Sequence, residues 1–235
     1  MTKEQKNEVR QYLLTKKLPI DLLMEVEDHF LSQINDKEAG GKMSFEEAFN
    51  STIIAWHDDL KLSWDGNWSL EDTSFLIKKT STQKSYSILK KAIIIAIICQ
   101  LMMILFYVLM PFEVFRIIYG VSSGLLILFP LFVFVKEKKY FDLPKKYKNI
   151  TLSAYQNLVG VLFILPMSSS WWVFKFVFEM NEGFLNFDSF KGVVINFLML
   201  FYFFFQTNSI IAQQRFLETL KKVIPYLEEN FKVSE

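Results

Sequence analysis

Acid–histidine pairs are the part of this sequence that most resembles a chemical site. Glu25, Asp28 and His29 fall within one predicted helix, and His57 with two following aspartates ends the next one. Residues four apart share a helix face, so a two-helix metal site that includes His57 is one interpretation. We favour the other, a buried or capping histidine that bridges the two helices, because the sequence has no His-Glu-x-x-His spacing and no nearby cysteine. His29 would then be a pH-sensitive contact.

Catalytic motifs are missing from the sequence. It has no Gly-rich phosphate loop, no Gly-x-Ser-x-Gly nucleophile elbow and no acid pair inside an apolar segment. The single cysteine, Cys99, excludes an intramolecular disulfide and is interpreted as an apolar filler. We therefore predict a protein that is not an enzyme and that needs no cofactor or metal.

Composition indicates where such a chain resides. Of its 235 residues 51% are apolar and 25 are Phe, whereas only 8 are Gly and 6 are Pro. The charges are nearly absent from several stretches of about 20 residues, which is the length that crosses a hydrocarbon core as a helix. The composition therefore predicts an integral membrane protein in contact with membrane lipids.

Four transmembrane spans are predicted in the second part of the chain. Ala92–Met110 carries no charge, and at about 1.5 Å per residue it covers roughly 28 Å. Pro111 ends this span, so the next one follows after a tight turn. The four predicted spans are residues 92–110, 115–135, 152–174 and 192–211.

Two features of these spans predict how their helices pack. Gly120 and Gly124 form a small-xxx-small pattern, which allows close approach of a neighbouring helix. Asn196 lies deep in the fourth span and should make a hydrogen bond to another helix.

The basic residues near the span ends predict the orientation. Five precede the first span, six lie between the second and third, and three follow the fourth, whereas the opposite side has only Arg116, Lys175 and Lys191. Basic residues favour the cytosolic side. The N-terminus also lacks the basic start and apolar core of a signal peptide. We therefore predict a multi-pass protein of the inner (cytoplasmic) membrane with both termini in the cytosol.

The cytosolic head, residues 1–62, is predicted to contain three helices. These are about Lys3–Lys16, residues 19–35 and Ser44–Leu60, and Ser44 with Glu47 forms a capping box at the start of the third. Residues 1–76 hold 8 basic and 15 acidic residues. Such a head would be repelled by anionic lipid and could attract a basic partner. The side chains that we expect to dock a partner are Glu25, Asp28, His29, Glu46, Glu47 and Trp56.

Part of the head resembles a known kind of domain. Leu18–His29, Gly41–Phe49 and Trp56 are similar to the HAAS-type or permease-prefix helical domains that precede the spans of bacterial membrane proteins, including multi-span proteins of the Bacteroidetes kind. The resemblance covers about residues 10–60. It implies a regulatory or protein-binding head, of the sort linked to PadR-like transcription regulators or to transporter subunits. Four spans are fewer than a typical ABC-type permease has, so this chain departs from the transporter pattern.

Together these features predict an all-α protein, with a small cytosolic three-helix bundle followed by a four-helix transmembrane bundle. Residues 63–91 would be a linker and connecting helix, and residues 212–235 a cytosolic tail. The predicted function is regulatory or interactive, with a cytosolic protein or membrane subunit as partner and no direct binding of nucleic acid. The alternative is an accessory or pore-forming subunit of a transport system, in which copies assemble as a homo-oligomer through Gly120, Gly124 and the Phe-rich fourth span.

Overall fold

The computed structural model describes residues 1–41, 43–64, 72–147 and 189–231. The chain divides into two compact units. We call them the polar unit (Met1–Lys84, Leu143–Ser153 and Thr219–Glu235) and the apolar unit (Ser85–Asp142 and Ala154–Glu218). The regular secondary structure of the described residues is helical apart from one pair of two-residue strands, which confirms the predicted all-α class.

The polar unit begins with the three predicted helices. They occupy nearly the predicted ranges, except that the third is interrupted at Trp56 and the second runs a turn further, to Ala39. Gly41 then adopts φ +66°, a left-handed conformation that glycine tolerates without a Cβ clash. The helices are α1 (Lys3–Leu14), α2 (Ile20–Ala39), α3 (Phe45–Ala55) and the short α4 (His57–Leu60).

Side-chain caps fix where two of these helices start. The predicted capping box of α3 is present: Ser44 Oγ accepts from the Glu47 amide, and Glu47 Oε2 accepts from the Ser44 amide at 2.8 Å. These hydrogen bonds to Ser44 lower the pKa of the Glu47 carboxyl. Thr2 and Gln5 form a second box at the start of α1. Each box satisfies amides that the helix itself leaves without a partner.

A short antiparallel strand pair follows α4. Strand β1 (Leu62–Ser63) pairs with β2 (Thr73–Ser74), with Leu62 opposite Ser74. The hydroxyl of Ser74 then accepts from the Ile77 amide and caps the next helix, α5 (Phe75–Leu109). The expected connecting segment is thus the first part of the helix that carries the first predicted span.

The core of the polar unit combines residues that are distant in sequence. Buried apolar side chains of α1, α2 and α3 pack in one cluster with residues from the end of the last helix, α9 (Phe190–Asn230). Val223 and Leu227 are only 1% and 2% exposed in that cluster. The segment that the sequence suggested as a free tail therefore supplies a further helix to the polar unit.

Within the described ranges, three helices are long and apolar enough to cross a membrane: α5, α6 (Phe112–Lys136) and α9. They contain the first, second and fourth predicted spans, while the third lies outside the described residues. In the most apolar 18 residues of α5 and α6, 22% and 17% are buried, compared with 44% in α9. Helix α9 is therefore the most enclosed of the three, and α5 and α6 present most of their apolar side chains outward. Two short helices follow α6, namely α7 (Lys138–Phe141) and α8 (Leu143–Lys146).

Polar side chains join the helices inside the apolar unit. Gln100 of α5 donates from Nε2 to Asn196 Oδ1 of α9 at 3.0 Å, and both side chains are buried. A Cβ added at Gly120 or Gly124 would meet no heavy atom of the described helices within 4 Å. A tight helix contact at these two glycines stays a prediction, whereas Asn196 has a defined partner.

Breaking this hydrogen bond should weaken the pairing of α5 and α9. In a double-mutant cycle of Gln100→Leu and Asn196→Leu, we expect a coupling energy of ~0.6–2 kcal/mol, the range measured for side-chain hydrogen bonds between membrane helices. Unfolding of the full chain by titration with a denaturing detergent would measure it. The control Asn208→Leu, at a half-buried position of the same helix, should show no coupling to Gln100. A coupling of zero for both pairs would contradict the expectation.

Candidate docking face and ionic cluster of the polar unit

A buried ion pair connects the first two helices. The Arg10 guanidinium donates from Nε and Nη2 to both carboxylate oxygens of Glu27, with the shortest distance 2.7 Å. The side chain of Glu27 is 4% exposed and that of Arg10 is 12% exposed. A bidentate arginine–carboxylate ion pair is the strongest form of this interaction, because it combines charge with two aligned hydrogen bonds.

Tyr226, in the last turns of α9, completes the cluster. Its hydroxyl donates to Glu27 Oε2, and its ring lies 5.6 Å below the Arg10 guanidinium carbon. Burial and the adjacent Glu27 carboxylate raise the pKa of the Tyr226 phenol. Burial opposes the charge on Arg10, but its hydrogen bonds to and attraction by Glu27 outweigh burial and raise the guanidinium pKa. The raised phenol pKa keeps Tyr226 as the hydrogen-bond donor to Glu27.

A groove of about 440 Å³ opens beside this cluster. Lys3 and Lys6 line it from α1, whereas Asp28 and Glu229 line it from α2 and α9. The carboxylate of Glu27 is neutralised within the protein by Arg10. The opening of the groove therefore offers separate positive and negative groups to a partner.

Three of the expected docking residues share a surface with Trp56. Glu25, Asp28 and His29 are exposed on α2. The His29 ring stacks on the half-buried Trp56 ring at 6.4 Å, and the Trp56 indole donates to Gln33 Oε1 at 3.1 Å. The histidine thus contacts the end of α3 from α2, and of the two expected forms, buried or capping, the buried one is wrong because the side chain is exposed.

The remaining two expected residues lie at the other end of the α2–α3 pair. Lys37 of α2 donates to Ser51 and Thr52, whereas the earlier residue Gln33 contacts the later residue Trp56, so the two helices run in opposite directions. Glu46 and Glu47 precede Trp56 by about ten residues, or roughly 15 Å of helix. They are exposed, and Glu47 is already used as the helix cap. We therefore define the docking face as Glu25, Asp28, His29 and Trp56.

The two histidines are not joined in a metal site. His57 contacts its neighbour Asp58 at 3.2 Å, whereas His29 contacts Trp56. Within the described ranges, no group of three His, Cys, Asp or Glu side chains is arranged to hold a metal ion.

The ionic cluster was not predicted, although one signal for it exists. Glu27 occupies the apolar face of α2 between Leu23 and Phe30, where a carboxylate needs a buried partner. Nothing in the local sequence identifies Arg10 as that partner. The sequence gives even less indication that Tyr226 joins the cluster, because 199 residues separate it from Glu27.

Comparison with known proteins gives no match to the chain among family models, curated proteins or solved structures. The resemblance of residues 10–60 to HAAS-type domains therefore stays a prediction from the residues alone.

Proposed function

We propose that this chain is an integral inner-membrane protein of regulatory or interaction type, whose polar unit binds another protein at the docking face. The partner is a basic cytosolic protein or a neighbouring membrane subunit. A PadR-like transcription regulator is the partner that the HAAS-type resemblance implies. Both termini and the polar unit face the cytosol in this proposal.

The observation that carries the proposal is the composition of the docking face. Two carboxylates, Glu25 and Asp28, are exposed one turn apart beside the His29–Trp56 stack. The half-buried Trp56 ring contacts both His29 and Gln33 of α2. An aromatic side chain bordered by charges is typical of an interface centre with a polar rim.

The membrane part of the proposal is supported by the outward face of the long helices. Large apolar side chains of α5, α6 and α9 are exposed along their length, for example Leu101, Leu125 and Phe197 at 60%, 62% and 58%. A continuous apolar surface of this size is unfavourable in water and suits a hydrocarbon core.

Photo-crosslinking in native membranes tests the docking face in the full-length protein. A photoreactive amino acid at Ser32, an exposed position one turn after Asp28 on α2, should give a specific adduct with one partner. Charge reversal by Glu25→Lys with Asp28→Lys should abolish this adduct, because a basic partner would then meet like charges. The matched control Glu8→Lys, which reverses an exposed carboxylate on α1, should leave the adduct unchanged.

Two results would overturn the proposal. If the adduct survives the double reversal as well as it survives Glu8→Lys, the acidic face does not select the partner. If an impermeant reagent applied outside intact cells labels residues 1–62, the docking face is not in the cytosol. The second result would also contradict the proposed membrane orientation, whereas the first would not, so the two failures can be distinguished.

A further inference from the structure

The groove beside the ionic cluster is lined by opposite charges that come from different helices. We call Lys3 and Lys6 of α1 its basic rim. Asp28 of α2 and Glu229 of α9 form its acidic rim. All four residues are exposed, so the groove presents charges of both signs to solvent.

The two rims do not neutralise each other. Among the described residues, the side chains of Lys6, Asp28 and Glu229 have no hydrogen bond or ion pair. The buried guanidinium of Arg10, by contrast, already donates from each of its nitrogens to groups of the polar unit. Recognition of a charged partner therefore falls to the rims and not to the buried ion pair.

Apolar side chains line the groove together with these charges. They are Met1, Met24 and Leu31, and all three are half-buried. Methionine is flexible and polarisable, so it adapts to side chains of different shapes and is common at surfaces that bind varied partners. Small-molecule pockets are instead mostly apolar and bury most of their ligand. An open groove with charged rims and methionines therefore suits a protein segment better than a small molecule.

Asp28 connects this groove to the docking face, because it belongs to both. A protein bound at the docking face is thus within reach of the acidic rim. We propose that the partner inserts a segment of mixed charge into the groove. A basic side chain of the segment pairs with the acidic rim, an acidic side chain pairs with the basic rim, and an apolar side chain packs on the methionines. This inference rests on the proposed function and adds the chemistry of the segment that binds.

The rims also exclude segments that carry only one sign of charge. A purely basic segment would meet like charge at Lys3 and Lys6, and a purely acidic one would meet like charge at Asp28 and Glu229. Contacts between like charges are an effective means of rejecting wrong partners. The groove therefore selects for a segment that has both signs, placed in one direction along it.

Selection of random short peptides on the full-length protein, held in a lipid nanodisc, tests the chemistry of the groove. Peptides that bind there should carry a basic and an acidic residue on either side of an apolar one. Their affinity should fall several-fold in Lys3→Glu with Lys6→Glu, because the acidic residue then meets like charges. It should also fall several-fold in Glu229→Lys, which opposes the basic residue of the peptide.

Matched charge reversals outside the groove provide the controls. Lys17→Glu with Lys61→Glu reverses two exposed lysines of the polar unit. Glu228→Lys reverses the exposed neighbour of Glu229. These three residues are not among those that line the groove, so the affinity of the selected peptides should stay unchanged.

Photo-crosslinking in native membranes then tests whether the partner itself enters the groove. A photoreactive amino acid at Met24 should give an adduct with the same protein that is captured at Ser32. Lys3→Glu with Lys6→Glu should lower the adduct at Met24 several-fold, whereas the adduct at Ser32 should remain.

Three results would overturn this inference and leave the docking face in place. They are selected peptides with only one sign of charge, peptide affinities that do not respond to the rim reversals, and an adduct at Ser32 without the same adduct at Met24. An adduct at Met24 with a second copy of this chain is one form of the third result. Loss of the adducts at both positions would instead contradict the proposed function and this inference together.

Discussion

Replacement of Glu27 by alanine should destabilise the polar unit by ~3–5 kcal/mol, because it leaves the buried Arg10 charge without its partner. It also removes the acceptor of the Tyr226 hydroxyl. Hydrogen exchange of the α1 and α2 amides in the full-length protein, held in a lipid nanodisc, would measure the loss. A change of 1.4 kcal/mol corresponds to about tenfold faster exchange through global opening, so the expected acceleration is at least ~100-fold.

Two further variants separate the charge effect from general damage to α2. Asp28→Ala, which removes the exposed carboxylate next to Glu27, should change exchange of the same amides very little. Arg10→Met combined with Glu27→Leu replaces both charges by apolar groups, and it should recover most of the stability lost by Glu27→Ala. Exchange that is as fast in the double variant as in Glu27→Ala would contradict the explanation by an unpaired charge.

Leu227→Ala should have an effect of similar size, ~2–5 kcal/mol, because it leaves a cavity in a packed core. Leu227 is 2% exposed and belongs to the same buried cluster as Val9 and Leu13. The informative measurement is hydrogen exchange in α1 and α2, which are more than 180 residues away in sequence. Faster exchange there would show that the end of α9 stabilises the N-terminal helices.

The neighbouring substitution Glu228→Ala provides the matched control. Glu228 is exposed on the adjacent position of α9, so its loss should leave exchange of α1 and α2 unchanged. If Leu227→Ala alters exchange only within α9, the C-terminal segment folds without supporting the rest of the polar unit.

Local signals in the sequence predicted the elements of this fold well. Ser44 and Glu47 mark the start of α3 because a capping box needs only residues three apart. The charge-free run Ala92–Met110 marks the apolar part of α5, because hydrophobicity over one helix length is also a local property of the sequence. The structure also places Asn196 in a hydrogen bond with Gln100, a partner that the sequence could not identify.

Features that depend on distant residues could not be predicted. The pairing of Leu62 with Ser74 involves two residues per strand, too few for an alternating pattern to be recognised. Tyr226 joins Arg10 and Glu27 through tertiary packing alone. In the predicted docking set, helical spacing correctly related Glu25 to His29. Spacing within one helix gives no information, however, on how α3 lies along α2. For that reason Glu46 and Glu47 were grouped with residues from which the fold separates them.

The position of Val223, Tyr226 and Leu227 in the core of the polar unit has a consequence for biosynthesis. A ribosome completes α1, α2 and α3 early, yet the side chains that close their core are translated only after every apolar segment has emerged. Until then an apolar strip on the N-terminal helices stays uncovered, and the Glu27 carboxylate lacks its hydrogen bond from Tyr226. Maturation of this domain must therefore wait until residues 223–227 have been translated, and a nascent chain stalled before residue 219 would expose an apolar surface of the kind that chaperones bind.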